Sequence, residues 1–165
     1  MFRIIICGVL ATVTIVATVS LSIGQDRREI TTQRERARTQ MVHPPGDPKP
    51  LLYEAGATAP NSARLLTTGD ETDGAWSLVE LTEMPGTKTT WHRHPHTDQA
   101  YYVREGVFTV KVEDKIYQLH AGGYIFIPRG TPHGTGNVGS VPVNVLLIDG
   151  PAGFERYFQA RPDLL

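Results

Sequence analysis

Gly86-Thr87-Lys88-Thr89-Thr90-Trp91-His92-Arg93-His94-Pro95-His96-Thr97-Asp98-Gln99 is the stretch whose reading decides the fold. His92 and His94 stand one residue apart. On a strand, residues i and i+2 point to the same face, so both imidazoles can bind one ion. A divalent first-row metal takes imidazole nitrogens at about 2.0–2.1 Å. A third imidazole must come from elsewhere in the chain. His133 lies 39 residues after His94 and follows Pro128-Arg129-Gly130, a turn able to bring it back. Gly86 and Gly106 frame the first string, and Gly122 and Asn137 frame the second. Gly86 and Gly106 suit turns or positive-φ positions.

The two strings, Gly86-x5-His92-x-His94-x4-Gln99-x6-Gly106 and Gly122-x5-Pro128-x-Gly130-x2-His133-x3-Asn137, resemble the paired signature motifs of the cupin superfamily. Every fixed position is filled but one: Gln99 stands where the family usually has Glu. The resemblance runs from about Arg64 through Phe158. Leu66 to Gly74, Ala100 to Gly106 and Gly150 to Phe158 are similar to single-domain cupins of the quercetin 2,3-dioxygenase-like type. It implies an all-β, jelly-roll-type barrel holding one divalent transition metal (Fe, Ni, Mn, Cu or Zn). It also implies that His92, His94, Gln99 and His133 are the ligands. Such a fold hosts dioxygenases, isomerases, lyases and binding proteins alike, so it does not by itself name a reaction.

Gln99 bears on the chemistry. A carboxylate there adds a negative charge and can act as a base. An amide oxygen coordinates as a neutral donor and takes no proton near neutral pH. Flavonol dioxygenation, as the resemblance implies it, uses the Glu. Cupins of the pectin-degradation type, acting on unsaturated uronates, carry Gln at this place. Asp98, one residue earlier, fits the shorter spacing the family also allows and is an alternative ligand. His96 reads as a residue of the barrel mouth, with a role behind the ligands as the alternative. Trp91, Tyr101, Tyr102 and Phe126 are candidates for lining the lumen, or else for barrel core. Asn137 reads as a residue that binds backbone.

Outward from the motifs the period is two. Leu78 to Thr82, Val107 to Val112 and Lys115 to Leu119 alternate, and Glu113-Asp114 turns the last two into a hairpin. Tyr124 to Ile127 is a short strand stopped by Pro128, and Val141 to Ile148 is β-branched and apolar. Gln99, Tyr101 and Val103 share one face, the inward one if Gln99 reaches a metal. Only Phe154 to Gln159 reads as helix, one or two turns near the C-terminus. Strands this short between turn signals suit a barrel or sandwich.

Residues 1–24 differ from the rest. Arg3 is followed by an uncharged apolar run over 4–23 and by Ser22-Ile23-Gly24, a pattern that suits a secretory signal, with a membrane anchor as the alternative. Residues 25–50 read as a polar and proline-rich linker and 51–165 as the barrel domain. The expected location is secreted or periplasmic, or membrane-anchored through residues 4–23. Cys7, the sole cysteine, falls in the leader. A net charge of −1 with mixed signs argues against nucleic acid as the main partner. The expected partner is a small molecule, and a homodimer is compatible. Three functions follow: a metalloenzyme (dioxygenase or isomerase) acting on an enediol, phenolic or sugar-acid substrate, a non-catalytic small-ligand binder or sensor, and a structural cupin without chemistry.

Overall fold

The computed structural model describes residues 42–160, together with Gln25, Arg27 and Arg28, which are helical. The leader expected over 1–24 lies outside the described residues. Nine strands are described: β1 (Leu51–Tyr53), β2 (Asn61–Thr67), β3 (Ser77–Glu83), β4 (Asp98–Glu105), β5 (Val107–Val112), β6 (Lys115–His120), β7 (Tyr124–Ile127), β8 (His133–Gly136) and β9 (Val143–Gly150). They form a six-stranded sheet in the order β1-β2-β3-β9-β4-β7 and a three-stranded sheet in the order β6-β5-β8. Every described pairing is antiparallel. A short helix, α1 (Arg156–Gln159), follows β9. This is the jelly-roll β-architecture that the family resemblance implies, and it fits the barrel or sandwich that the short alternating strands suit.

The two sheets share one core. Val79, Leu81, Val103, Val145 and Leu147 of the large sheet pack in one cluster with Phe108 and Val110 of the small one. Fully burying such side chains stabilises the fold by roughly 1.5–3 kcal/mol each. The alternation in β5 explains its part: Phe108 and Val110 are fully buried and Lys111 is exposed. Glu113 carries φ +50° in the turn to β6, where Val112 pairs with Lys115. α1 docks through Phe158, whose ring meets Tyr53 edge-on at 5.2 Å.

The segment after Gly86 is irregular, yet it lies along the free edge of β8. Bridges Lys88/Gly136 and His92/His133 tie it there. Gly136 permits the approach, since a Cβ on it would stand 2.4 Å from the Thr87 carbonyl oxygen. Gly86 has φ +88° and Gly106 φ +80°, as their motif positions require. Asn137 fastens the same region. Its amide donates to the carbonyls of Glu83 and Val141 and accepts from Gly139 N–H. Within 42–50, where no strand forms, the His43 ring donates from Nε2 to the Leu66 carbonyl at 2.9 Å.

Candidate metal centre

His92 and His133 are directly opposed on neighbouring strands and exchange both backbone hydrogen bonds, at 3.0 and 2.8 Å. Opposed residues on a sheet share a face, so both rings turn inward. Each ring is fixed by the carbonyl two residues before it. His92 Nδ1 donates to Thr90 O at 2.6 Å and His133 Nδ1 to Thr131 O at 2.9 Å. A carbonyl only accepts, so the proton sits on Nδ1 and the Nε2 lone pair faces the lumen. His94 completes the group, its Nε2 3.1 Å from that of His92. One ligand atom from each of the three lies within 4.8 Å of the others.

Gln99 enters from the opposite sheet. Its Oε1 stands 3.0 Å from His133 Nε2, while its Nε2 donates to Asp149 Oδ1 at 2.8 Å. Gln99 on β4 pairs directly with Asp149 on β9. Asp149 is fully buried, and its other oxygen has no hydrogen-bond partner. The Tyr101 hydroxyl donates toward Gln99 Oε1 at 3.5 Å.

Lone pairs that point at one another repel unless a cation or proton lies between them. Two ligands held at about 2.1 Å and a right angle stand about 3.0 Å apart, which is the spacing of these atoms. The donor set therefore fits a divalent ion. Burial, then the neighbouring His92 and His133, pulls the His94 imidazole down to about 4. Burial lowers His133 too. Neutral imidazole is the form that ligates.

The remaining candidates fall elsewhere. Asp98 stands on the opposite face of β4 from Gln99, and both its oxygens are held by Arg129. The Arg129 backbone N–H and Nε donate to Oδ1 at 2.7 and 3.1 Å, and Nη2 donates to Oδ2 at 2.7 Å. Those bonds hold the Asp98 carboxyl down at about 2. Asp98 is thus turned away from the centre, a correction to its reading as an alternative ligand. His96 is exposed and lies outside the histidine group.

Of the aromatic candidates, Tyr101 lines the lumen. Trp91 and Phe126 do not, and neither is core, being 50% and 53% exposed. Trp91 precedes His92 and must point the other way; Lys111 Nζ lies 4.7 Å over its ring. Phe126 is paired with Ala100, whose parity is opposite to that of Gln99, so it faces out beside the half-exposed Tyr102.

The lumen is a cavity of about 390 Å³ that includes His92, Tyr53, Tyr101 and Glu83 among apolar walls of Leu81, Leu147, Phe154 and Phe158. The Phe154 ring meets His94 edge-on at 5.0 Å. Asp149 and Glu83 were not singled out from the sequence. Their signal was there: each is the acid that continues a core-facing parity of apolar residues, after Val145 and Leu147 in one case and Val79 and Leu81 in the other.

Residues 79–149 match the Cupin_2 family, described as a cupin domain. Residues 79–149 are a cupin domain. The whole barrel superposes on an RmlC-like cupin from Shewanella frigidimarina with TM-score 0.60, at 20% identity, over 72% of this chain and 96% of that one. A predicted oxalate decarboxylase from Thermotoga maritima gives TM-score 0.61 at 19% identity, over 67% of this chain and 99% of that one. Among curated proteins, the tetracenomycin polyketide synthase protein TcmJ of Streptomyces glaucescens is 34% identical over 80 residues, 48% of this chain and 52% of TcmJ. The chain spans 52–65% of the length of three curated relatives it matches, and 12% of a fourth, a mannose-1-phosphate guanylyltransferase from Sinorhizobium fredii. These likenesses establish the cupin fold, and the histidine triad within it can hold a metal ion.

Proposed function

We propose that the protein is a metal-dependent cupin enzyme, exported from the cytoplasm or anchored by residues 4–23, that acts on a small oxygenated substrate of the enediol, phenolic or sugar-acid kind. The observation that carries this reading is the convergence of three imidazole nitrogens and one amide oxygen beside a largely apolar cavity that His92 lines. A divalent transition metal bound by His92, His94, His133 and Gln99 would polarise substrate oxygens and, if redox-active, allow dioxygen chemistry.

The chain's own residues set the conditions. The triad and Gln99 are neutral donors, so the charge of a bound ion is not cancelled by its ligands, which favours an anionic or readily ionised substrate. Gln99 positions and takes up no proton. Tyr53 and Tyr101 remain protonated donors: burial, joined by nearby carboxyls, raises both phenols well above their usual range. Leu81, Leu147 and Phe154 exclude water around the reacting group. The likeness to a protein named for polyketide synthesis supports an oxygenated carbon skeleton as substrate. The uncharged apolar run at residues 4–23 supports export or anchorage.

A second reading, a ligand-capturing or sensing cupin without turnover, is favoured by one observation: the ligand position on β4 holds an amide in place of a base. Oxygen uptake by the purified protein, of measured metal content, against flavonols and other enediols separates the two. Turnover supports the enzyme. Tight binding without turnover supports the sensor, and neither binding nor turnover removes this substrate class.

A further inference from the structure

Glu83 ends β3 and faces the lumen, yet no sequence motif includes it. It is 3% exposed, and its Oε2 is buried without a hydrogen-bond partner. The ladders place it. Ser77, at the start of β3, pairs with Asp149, which pairs with Gln99; Glu83, at the end of β3, pairs with Val143. Ser77 to Glu83 is about 20 Å of extended backbone. The cavity nevertheless includes both Glu83 and His92. His92 is the member of the histidine group that lines it, so the candidate metal borders the cavity on one side and the Glu83 carboxyl on another, with apolar and aromatic walls between.

A buried carboxyl with a free acceptor oxygen costs stability unless something donates to it. Tyr53 and Tyr101 are the nearby phenols, and neither donates to that oxygen; Tyr101 donates toward Gln99. Burial pushes the Glu83 carboxyl up to about 7, so a neutral donor matches it and a second carboxylate does not.

We infer that Glu83 forms a second, distal subsite that accepts a hydrogen bond from a hydroxyl of a substrate whose other end occupies the histidine end. This rests on the proposed substrate class and narrows it: the ligand is a ring compound with a chelating oxygen pair at one end and a neutral hydroxyl at the other. Above about pH 7, where Glu83 is ionised, a ligand carboxylate at that end is repelled.

The test compares Kd values of the purified, metal-analysed protein for four probes: 3-hydroxyflavone, its 4′-hydroxy and 7-hydroxy derivatives, and its 4′-carboxy derivative. In the unaltered protein, one of the two hydroxylated probes is expected to bind about tenfold tighter than 3-hydroxyflavone, the scale of a hydrogen bond to a charged group. At pH 8, where Glu83 is ionised, the carboxylated probe is expected to bind about tenfold weaker than 3-hydroxyflavone. In Glu83→Gln, the hydroxyl advantage should fall to about threefold, the scale of a neutral hydrogen bond, and the carboxylate penalty should shrink. Unaltered ratios in Glu83→Gln overturn the subsite while leaving the substrate class standing. Failure of all four probes to bind the unaltered protein overturns the substrate class, and the subsite with it. The comparison within the unaltered protein needs no variant, and equal affinity for all four probes also overturns the subsite.

Discussion

Gln99 and Asp149 face each other across the β4–β9 ladder, and the Gln99 amide donates to the Asp149 carboxylate at 2.8 Å, which turns the amide oxygen toward His133. An amide is nearly symmetric in shape, so only its hydrogen bonds decide which end meets a cation. Burial raises the Asp149 carboxyl to about 7, and the Gln99 hydrogen bond draws it back down. In its ionised form it accepts and never donates, so it sets the amide's orientation and places one residue behind the ligand position the charge that position lacks.

Asp149→Asn removes that direction, because a second amide can either donate or accept. Partners behind a metal ligand typically govern affinity by about 10–100-fold. The expected result is a loss of metal affinity of about tenfold or more with the barrel still folded, read by chelator competition and by thermal melts. Unchanged affinity would show that Asp149 does not orient Gln99.

Gln99→Glu brings two carboxyls into contact. In metal-free protein they cannot both ionise, which destabilises the fold at pH 8 by about 1–3 kcal/mol. The double change with Asp149→Asn should restore most of that loss. With metal, the new carboxylate adds a ligand charge and a base, so oxygen-dependent turnover of enediols should appear or rise. Melts of chelator-treated protein and oxygen uptake are the readouts. A silent variant in both means the amide oxygen is not a ligand.

Glu83 carries a pH signature. Its carboxyl is raised by burial from 4.5 to about 7 in the folded chain. A raised acid contributes stability at low pH that is lost as pH climbs through the folded value. Tyr53 and Tyr101, the titratable groups beside it, do not ionise in that range. Glu83→Gln is thus expected to gain on the unaltered protein between about pH 4.5 and 7, by about 3 kcal/mol at the scale of 1.36 kcal/mol per unit. Denaturant unfolding of metal-free protein at pH 5 and pH 8 measures it. A difference that does not grow with pH would place Glu83 in a wetter setting than the fold indicates.

Phe126 and Trp91 stand on outer faces. Phe126→Ala is expected to change stability by no more than about 0.5 kcal/mol and to leave flavonol binding unaltered. Tyr101→Phe, in the lumen, should weaken that binding. Loss of binding in Phe126→Ala would put its ring back in the cavity.

Much of this was legible in the chain. Alternation marked β3, β5 and β6, an apolar run stopped by Pro128 marked β7, and the glycines at 86 and 106 marked positive-φ turns. The i, i+2 rule put His92 and His94 on one face, and parity set Gln99, Tyr101 and Val103 together inward, as all three are buried. Register was not legible. Nothing local says that Phe126 pairs with Ala100, and that pairing is what turns its ring outward. Asp98 stood as an alternative to Gln99 because its partner Arg129 lies beyond three intervening strands of sequence. Trp91 was open to correction from parity alone. β1, β2 and β8 are short or polar, and they form because neighbouring strands supply their hydrogen bonds, not because of their own pattern.

The central claim is that His92, His94, His133 and the Gln99 oxygen hold one ion. Elemental analysis of protein purified without chelator, beside His133→Ala, tests it most directly. The account predicts close to one divalent transition metal ion per chain in the unaltered protein and almost none in a folded His133→Ala. An unaltered protein that carries no metal and takes none up on reconstitution would contradict it.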